Sequence, residues 1–270
     1  MDNYDCTPTL DDQQVMDFCK NGYIALPSVV SEEVNQQTRE YMDAHSDSLE
    51  PVEILDENWF INGVIKNPAA AGAVRSLLGR DFYLPNMISS HRTNGPTPPQ
   101  TWHPDAGSII THELNYLQVF YYPSGATKEM GPTELVPGTH MSAARAAMLG
   151  RIKSLKISKL MESPPGSIVL TTYSIIHRRS NSTYTGIRDN LKYNYWRTTE
   201  PRRDWVVDKD FGFSWMQPGA SPIFGVDQAK MFAWLSGESW EHMGGQAWPC
   251  FTAKVHQDDQ MGLPQGFRKN

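Results

Sequence analysis

The chain has little that would tie it to a membrane, a nucleic acid or an oxidising compartment. Only three cysteines, Cys6, Cys19 and Cys250, occur in 270 residues. Odd in number and widely scattered, they fit neither a disulfide framework nor a metal-site spacing. No window approaches the apolar length of a membrane span. The net charge of −6 offers no general attraction to phosphate backbones or anionic lipid. The opening stretch, MDNYDCTPTLDDQQ, is acidic and polar where a secretory signal is basic and then apolar. Internal repeats and low-complexity runs are missing too. These absences exclude nucleic-acid and membrane partners and lead us to expect a soluble, cytoplasmic protein, monomeric or homodimeric.

What is present suits a large core. Apolar residues make up 39%, with 8 Trp, 11 Tyr and 10 Phe, enough for a packed interior and an aromatic-lined pocket. A single domain over residues 1–270 is expected, with helical support at about 9–80, a strand-rich core at about 83–205 and an irregular segment at 206–270. The first helix opens at Thr9, read as its cap with Asp12 at the third helical position. Val15, Met16, Phe18 and Cys19 form its stripe, and Asn21-Gly22 ends it. Tyr23 to Pro27 reads as a short strand, Ser31 to His45 as a second helix capped by Ser31, and Asn67-Pro68 to Leu78 as a third closed by Gly79. Short apolar or alternating runs follow at Leu114 to Tyr122, Thr133 to Val136, Ser167 to Thr172 and Leu191 to Trp196. Gly, Pro, Asn and Ser clusters separate them, the pattern of an antiparallel sandwich or barrel. The class is therefore mainly β with flanking helices. Helices are also expected at Met141 to Leu149, Gln228 to Leu235 and Ser239 to His242.

One constellation carries chemistry: His103-Pro104-Asp105, then His177, then Arg188 eleven residues on. In a strand, residues two apart face the same way, so His103 and Asp105 can share an ion while Pro104 points elsewhere. Spacing alone is weak. With 8 His and 17 Asp in the chain, chance supplies roughly half a His-x-Asp pair, and a second copy, His256-Gln257-Asp258, reads as surface. Two imidazoles and a carboxylate hold a ferrous ion on one side and leave positions open opposite. Arg188, always charged and forked, suits a carboxylate better than Lys192 does.

Context raises these residues above chance. Gln100-Thr101-Trp102 precedes the pair; Gly131-Pro132-Thr133-Glu134-Leu135-Val136-Pro137-Gly138-Thr139-His140 and Gly166-Ser167-Ile168-Val169-Leu170-Thr171 lie between it and His177. In this order they resemble the phytanoyl-CoA dioxygenase family of iron(II)- and 2-oxoglutarate-dependent oxygenases, from about Leu10 to Trp205. The resemblance implies a double-stranded β-helix, a jelly-roll or cupin-like barrel with helices packed on one sheet. It also implies His103, Asp105 and His177 as iron ligands, Arg188 as the grip on the distal carboxylate of 2-oxoglutarate, and Gln100 and Thr133 as further cosubstrate contacts. Dioxygen is then the oxidant, ascorbate the reductant of choice in vitro, and a small metabolite the substrate, with succinate and carbon dioxide released. A carboxylate at position 105, where halogenating relatives carry a small residue, favours hydroxylation.

The blander expectations concern the neighbours. Most of Arg178, Arg179, Arg188, Lys192, Arg197, Arg202 and Arg203 should form a solvated face; Arg178 or Arg179 could touch substrate, with one of them at the surface. About half of Tyr121, Tyr122, Tyr193, Tyr195 and Trp196 should face the interior. His112 is a rival ligand of low standing, His140 a brace for its loop, and His91 a residue of the pocket mouth or of the surface. Trp59, Phe60 and the Trp215 region are lid candidates whose commoner role is packing. Two other functions compete: a jelly-roll module that binds a metal or metabolite without turnover, and a zinc hydrolase, disfavoured because no Glu adjoins the ligands as a general base.

Overall fold

Helices dominate the first eighty residues and strands the stretch that follows, in keeping with the change of hydrophobic period along the chain. A computed structural model describes residues 2–141, 156–209, 211 and 230–238. Strand β1 (Asn3–Tyr4) leads to α1 (Asp12–Asn21), β2 (Tyr23–Leu26) and α2 (Glu32–Ala44). Next come a short α3 (Asn58–Phe60), continuous with a π turn at Ile61–Ile65, and α4 (Pro68–Leu78). Ser31 caps α2 through the Val34 N–H, and Asn67 caps α4 ahead of Pro68, both at the expected positions.

Helix α1 departs from expectation at its start. Its cap is Asp11, in a reciprocal box with Gln14. Thr9 is held elsewhere: its N–H donates to Ser76 Oγ and to the Gly72 carbonyl. Asp12 is no capping acid either. It is fully buried and accepts from Arg203 Nε (2.8 Å) and Nη2 (2.7 Å), from Trp205 Nε1 (2.7 Å) and from the Asp208 N–H (2.6 Å). A distant segment thus claims the carboxylate. The helix ends at Gly22, whose φ of 79° suits the left-handed turn.

The remaining strands are β3 (Phe82–Tyr83), β4 (Ile88–Ser90), β5 (Thr93–Thr97), β6 (Tyr116–Tyr122), β7 (Thr133–Leu135), β8 (Lys159–Leu160), β9 (Ser167–Thr171), β10 (His177–Arg179), β11 (Ser182–Arg188) and β12 (Leu191–Trp196). The large sheet runs β1-β3-β12-β6-β9-β2, with β4 also on β12; β10-β7-β8 and β11-β5 form two smaller sheets. All pairings between these strands are antiparallel. The sheets face each other as a jelly roll and do not close into one hydrogen-bonded barrel.

Alternation along β6, β9 and β12 divides the large sheet into two faces. Leu117, Val119, Tyr121, Ile168, Leu170, Leu191, Tyr193 and Tyr195 join the helices' Val15, Phe18, Met42, Phe60, Val74 and Leu77 in one core. Phe120, Tyr122 and Val169 turn the other way, against Leu135, Met161 and Ile175. Of the five aromatic residues expected to split between faces, Tyr122 joins this inner cluster and Trp196 shares the face of Lys192 and Asn194, while Tyr121, Tyr193 and Tyr195 belong to the helix side. Phe60 is likewise core rather than lid, and Trp59 packs against Tyr41 and Phe60.

No helix among the described residues is long and apolar enough to cross a membrane. Residues 230–235 are helical, within the span anticipated there, and Phe232 packs edge-on to Trp205. Most of the helix expected at Met141 to Leu149, the helix at Ser239 to His242, the His256-x-Asp258 pair, Cys250 and the Trp215 region lie outside the described residues.

Candidate active site

Two of the histidines are joined through their own backbones. His103 N–H donates to the His177 carbonyl (3.0 Å) and His177 N–H to the His103 carbonyl (2.9 Å), a lone antiparallel bridge that sets the rings 4.7 Å apart. Each ring is then fixed from behind: His103 Nδ1 donates to the Thr101 carbonyl at 2.7 Å and His177 Nδ1 to the Ile175 carbonyl at 3.0 Å. A carbonyl only accepts, so Nδ1 carries the proton and Nε2 presents a lone pair to the site. Burial pushes the His177 pKa down to about 4, which keeps that ring neutral.

Asp105 completes the group. Its carboxylate lies 3.9 Å from His177 Nε2, and one ligand atom each from His103, Asp105 and His177 falls within 4.8 Å of the others. Pro104 and Asp105 lie past the bridge in irregular backbone, so a bend rather than the anticipated strand carries the carboxylate round. Lys192 Nζ and Gln118 Nε2 both donate to its Oδ2. Burial raises the carboxyl most, but the charges of Lys192 and His177 and the bonds from Lys192 and Gln118 together outweigh it and hold Asp105 below the usual carboxylate range. Two imidazoles and an ionised carboxylate are the donor set that suits divalent iron.

The group opens into a cavity of about 240 Å³. Arg188, at the end of β11, lines it and is 3% exposed. Nη2 donates to Thr93 Oγ1 at 3.4 Å, the residue opposite in the β5 register, while Nε and Nη1 meet no partner among the described residues. Burial depresses its pKa, yet arginine stays charged. An enclosed cation with idle donors fits an anion such as a carboxylate.

Thr133 and Gln100 line the same cavity. Thr133 Oγ1 accepts from Tyr122 Oη at 2.7 Å, which leaves its own proton for another acceptor. The Gln100 side-chain oxygen is occupied by the Arg179 N–H at 3.0 Å. His91 is at the cavity; His112 is not part of the ligand group. His140 is buried, with Nε2 donating to the Cys19 carbonyl at 3.0 Å, and so braces its loop.

The basic stretch is not the solvated face its composition suggests. Arg178 is buried against Glu134 (2.7 Å) and stacks 4.1 Å over Trp102. Arg203 pairs with Asp12, Arg197 donates to the Leu77 and Leu114 carbonyls, and only Arg202 is fully open. Buried carboxylates and carbonyls draw these side chains inward. Arg178 is buried, whereas Arg179 is partly exposed at the cavity and so comes near the surface place expected for one of them. Gln118, and the place of Lys192 on Asp105, were not anticipated from the sequence. The signal was present in β12, where Leu191, Tyr193 and Tyr195 alternate with Lys192 and Asn194 and so send the polar set to the opposite face.

No protein-family model and no curated protein matches the sequence. Solved structures do. HygX from Streptomyces hygroscopicus, with nickel and 2-oxoglutarate bound, superposes at a TM-score of 0.59 with 15% identity over 71% of this chain and 88% of that one. EctD from S. alaskensis with bound Fe gives 0.56 and 15% over 77% and 83%. SnoK, a non-heme alpha-ketoglutarate-dependent carbocyclase from nogalamycin biosynthesis, gives 0.53 and 16% over 74% and 91%. What the chain shares with them is the fold.

Proposed function

We propose that the protein is an iron(II)- and 2-oxoglutarate-dependent oxygenase of the phytanoyl-CoA dioxygenase type that hydroxylates a small metabolite. The observation that carries this reading is the joint one: a His-Asp-His group and a buried, half-unpartnered arginine open into one cavity. The solved structures of like fold that hold iron, or nickel with 2-oxoglutarate, support it.

In this reading His103 and His177 offer Nε2 lone pairs on rings already oriented by Thr101 and Ile175. Asp105 brings the negative charge, aimed by Gln118 and Lys192. Arg188 seats the distal carboxylate of 2-oxoglutarate, and Thr133 offers its free proton to the same molecule. Phe120, on the inner face of β6, lines the cavity beside His177 at 5.8 Å between ring centroids and limits water there. When bound, the ferrous ion with 2-oxoglutarate and dioxygen supplies the oxidising power, with succinate and carbon dioxide as co-products.

The test is spectroscopic. Protein given iron(II), ascorbate and 2-oxoglutarate without oxygen is expected to develop the visible metal-to-ligand charge-transfer band, and Arg188→Leu to lose it at the same cosubstrate concentration. No band in the parent protein, or the same band in both, overturns the reading. Tight binding with no succinate released across a broad substrate panel would favour a binding or sensing module instead.

A further inference from the structure

We propose that Arg179 forms a second anion seat in the cavity and that the substrate accordingly carries a carboxylate or phosphate group. The inference rests on the oxygenase reading, since it concerns what remains once 2-oxoglutarate is accommodated.

Five cationic side chains line the cavity: Arg92, Arg178, Arg179, Arg188 and Lys192. Three have carboxylate partners. Arg92 Nη1 lies 3.4 Å from Asp189, Arg178 Nε lies 2.7 Å from Glu134, and Lys192 bonds Asp105. Arg179 and Arg188 have none among the described residues. Cosubstrate would bring two carboxylates, one for the ion and one for Arg188. Arg179 would still stand uncompensated.

Its placement is specific. On β10, residues two apart share a face, so Arg179 follows His177 into the cavity. The backbone is pinned by Gln100, whose N–H donates to the Arg179 carbonyl and whose side-chain oxygen takes the Arg179 N–H, each at 3.0 Å. Nη2 is tied to the Pro98 carbonyl at 3.0 Å, while Nη1 is buried and has no partner among the described residues. A cation held rigidly beside another, with one enclosed donor idle, is the arrangement an oxyanion completes. A neutral substrate would leave it unanswered.

The test uses full-length protein loaded with redox-inert nickel(II) and saturating 2-oxoglutarate, titrated calorimetrically with benzoate, phenyl phosphate and neutral benzamide. At least one anion should bind at a single site and benzamide should not, and the stronger of the two anions identifies the group. Arg179→Leu should keep cosubstrate affinity within about threefold while weakening the anion by about tenfold or more, the loss of one charge-assisted bond. Arg179→Lys should recover part of it. Anion binding no better than that of benzamide, or anion binding unchanged in Arg179→Leu, overturns the proposal. So does a loss of 2-oxoglutarate in Arg179→Leu as large as in Arg188→Leu, which would put Arg179 in the cosubstrate seat. Failure of the parent protein to bind 2-oxoglutarate at all would remove the oxygenase reading and this inference together.

Discussion

Replacing Arg188 with leucine should move ligand affinity and stability in different directions. In the apo protein this guanidinium makes one long bond, 3.4 Å to Thr93 Oγ1, and is 3% exposed without a carboxylate partner. Deleting it sacrifices little and relieves an uncompensated buried charge, so stability should hold or rise by about 1–3 kcal/mol. For a chain of this size that is about 2–4 °C in Tm per kcal/mol. The ligand side is opposite in sign. A carboxylate at the idle Nη1 or Nε would make at least one charge-assisted bond worth about 1.5–3 kcal/mol, so affinity for 2-oxoglutarate should fall by about 10- to 100-fold or more. Thermal melts with nickel(II), with and without 2-oxoglutarate, read both effects: the parent gains Tm on adding ligand and the variant does not. A variant that melts well below the parent while keeping the ligand shift would mean that Arg188 is a structural brace, and the assignment of the carboxylate seat would fall.

Three other outcomes follow from the geometry. Gln118→Leu removes a donor from Asp105 Oδ2 and should weaken metal binding by about 10- to 100-fold, measured by competition with a chromophoric chelator; unchanged affinity would show that Lys192 alone suffices. Asp12→Asn strips the charge from a buried acceptor of four donors and should cost about 3–5 kcal/mol, read as a lower urea midpoint. His140 should make the fold acid-sensitive. Burial lowers its pKa to about 4, below the unfolded value of about 6.5, so the unfolded chain binds the proton first. Stability should therefore decline as pH falls from about 6.5 to 4, by up to about 3 kcal/mol, and His140→Gln should flatten that slope. An unchanged slope would place the sensitivity elsewhere.

Legibility followed the range of the forces involved. Local signals held: Ser31, Asn67-Pro68, Gly22 and the runs at 114–122 and 191–196 all act within a few residues, and the structure places elements there, the first of these strands starting at Tyr116. The His-Asp-His group could be anticipated because its members resemble a known pattern in order. What the sequence hid depends on distant partners. Asp12 looked like a capping acid because Arg203 and Trp205, some 190 residues on, cannot be read from its neighbourhood. The basic stretch looked solvated because the acids and carbonyls that draw it inward, Glu134, Asp12, Leu77 and Leu114, are scattered along the chain. Which tyrosines face which way was undecided until the register of β6 against β12 settled it.

The reciprocal amide pair between His103 and His177 gives the two rings a common hinge pin, so their separation is a property of the main chain. Side-chain changes nearby can retune what enters the cavity without pulling the imidazoles apart. An ion captured by both rings would in return rivet the stretch after Gln100 to β10. Amide exchange at residues 103 and 177 should then slow on metal loading, making the seam itself a reporter of occupancy.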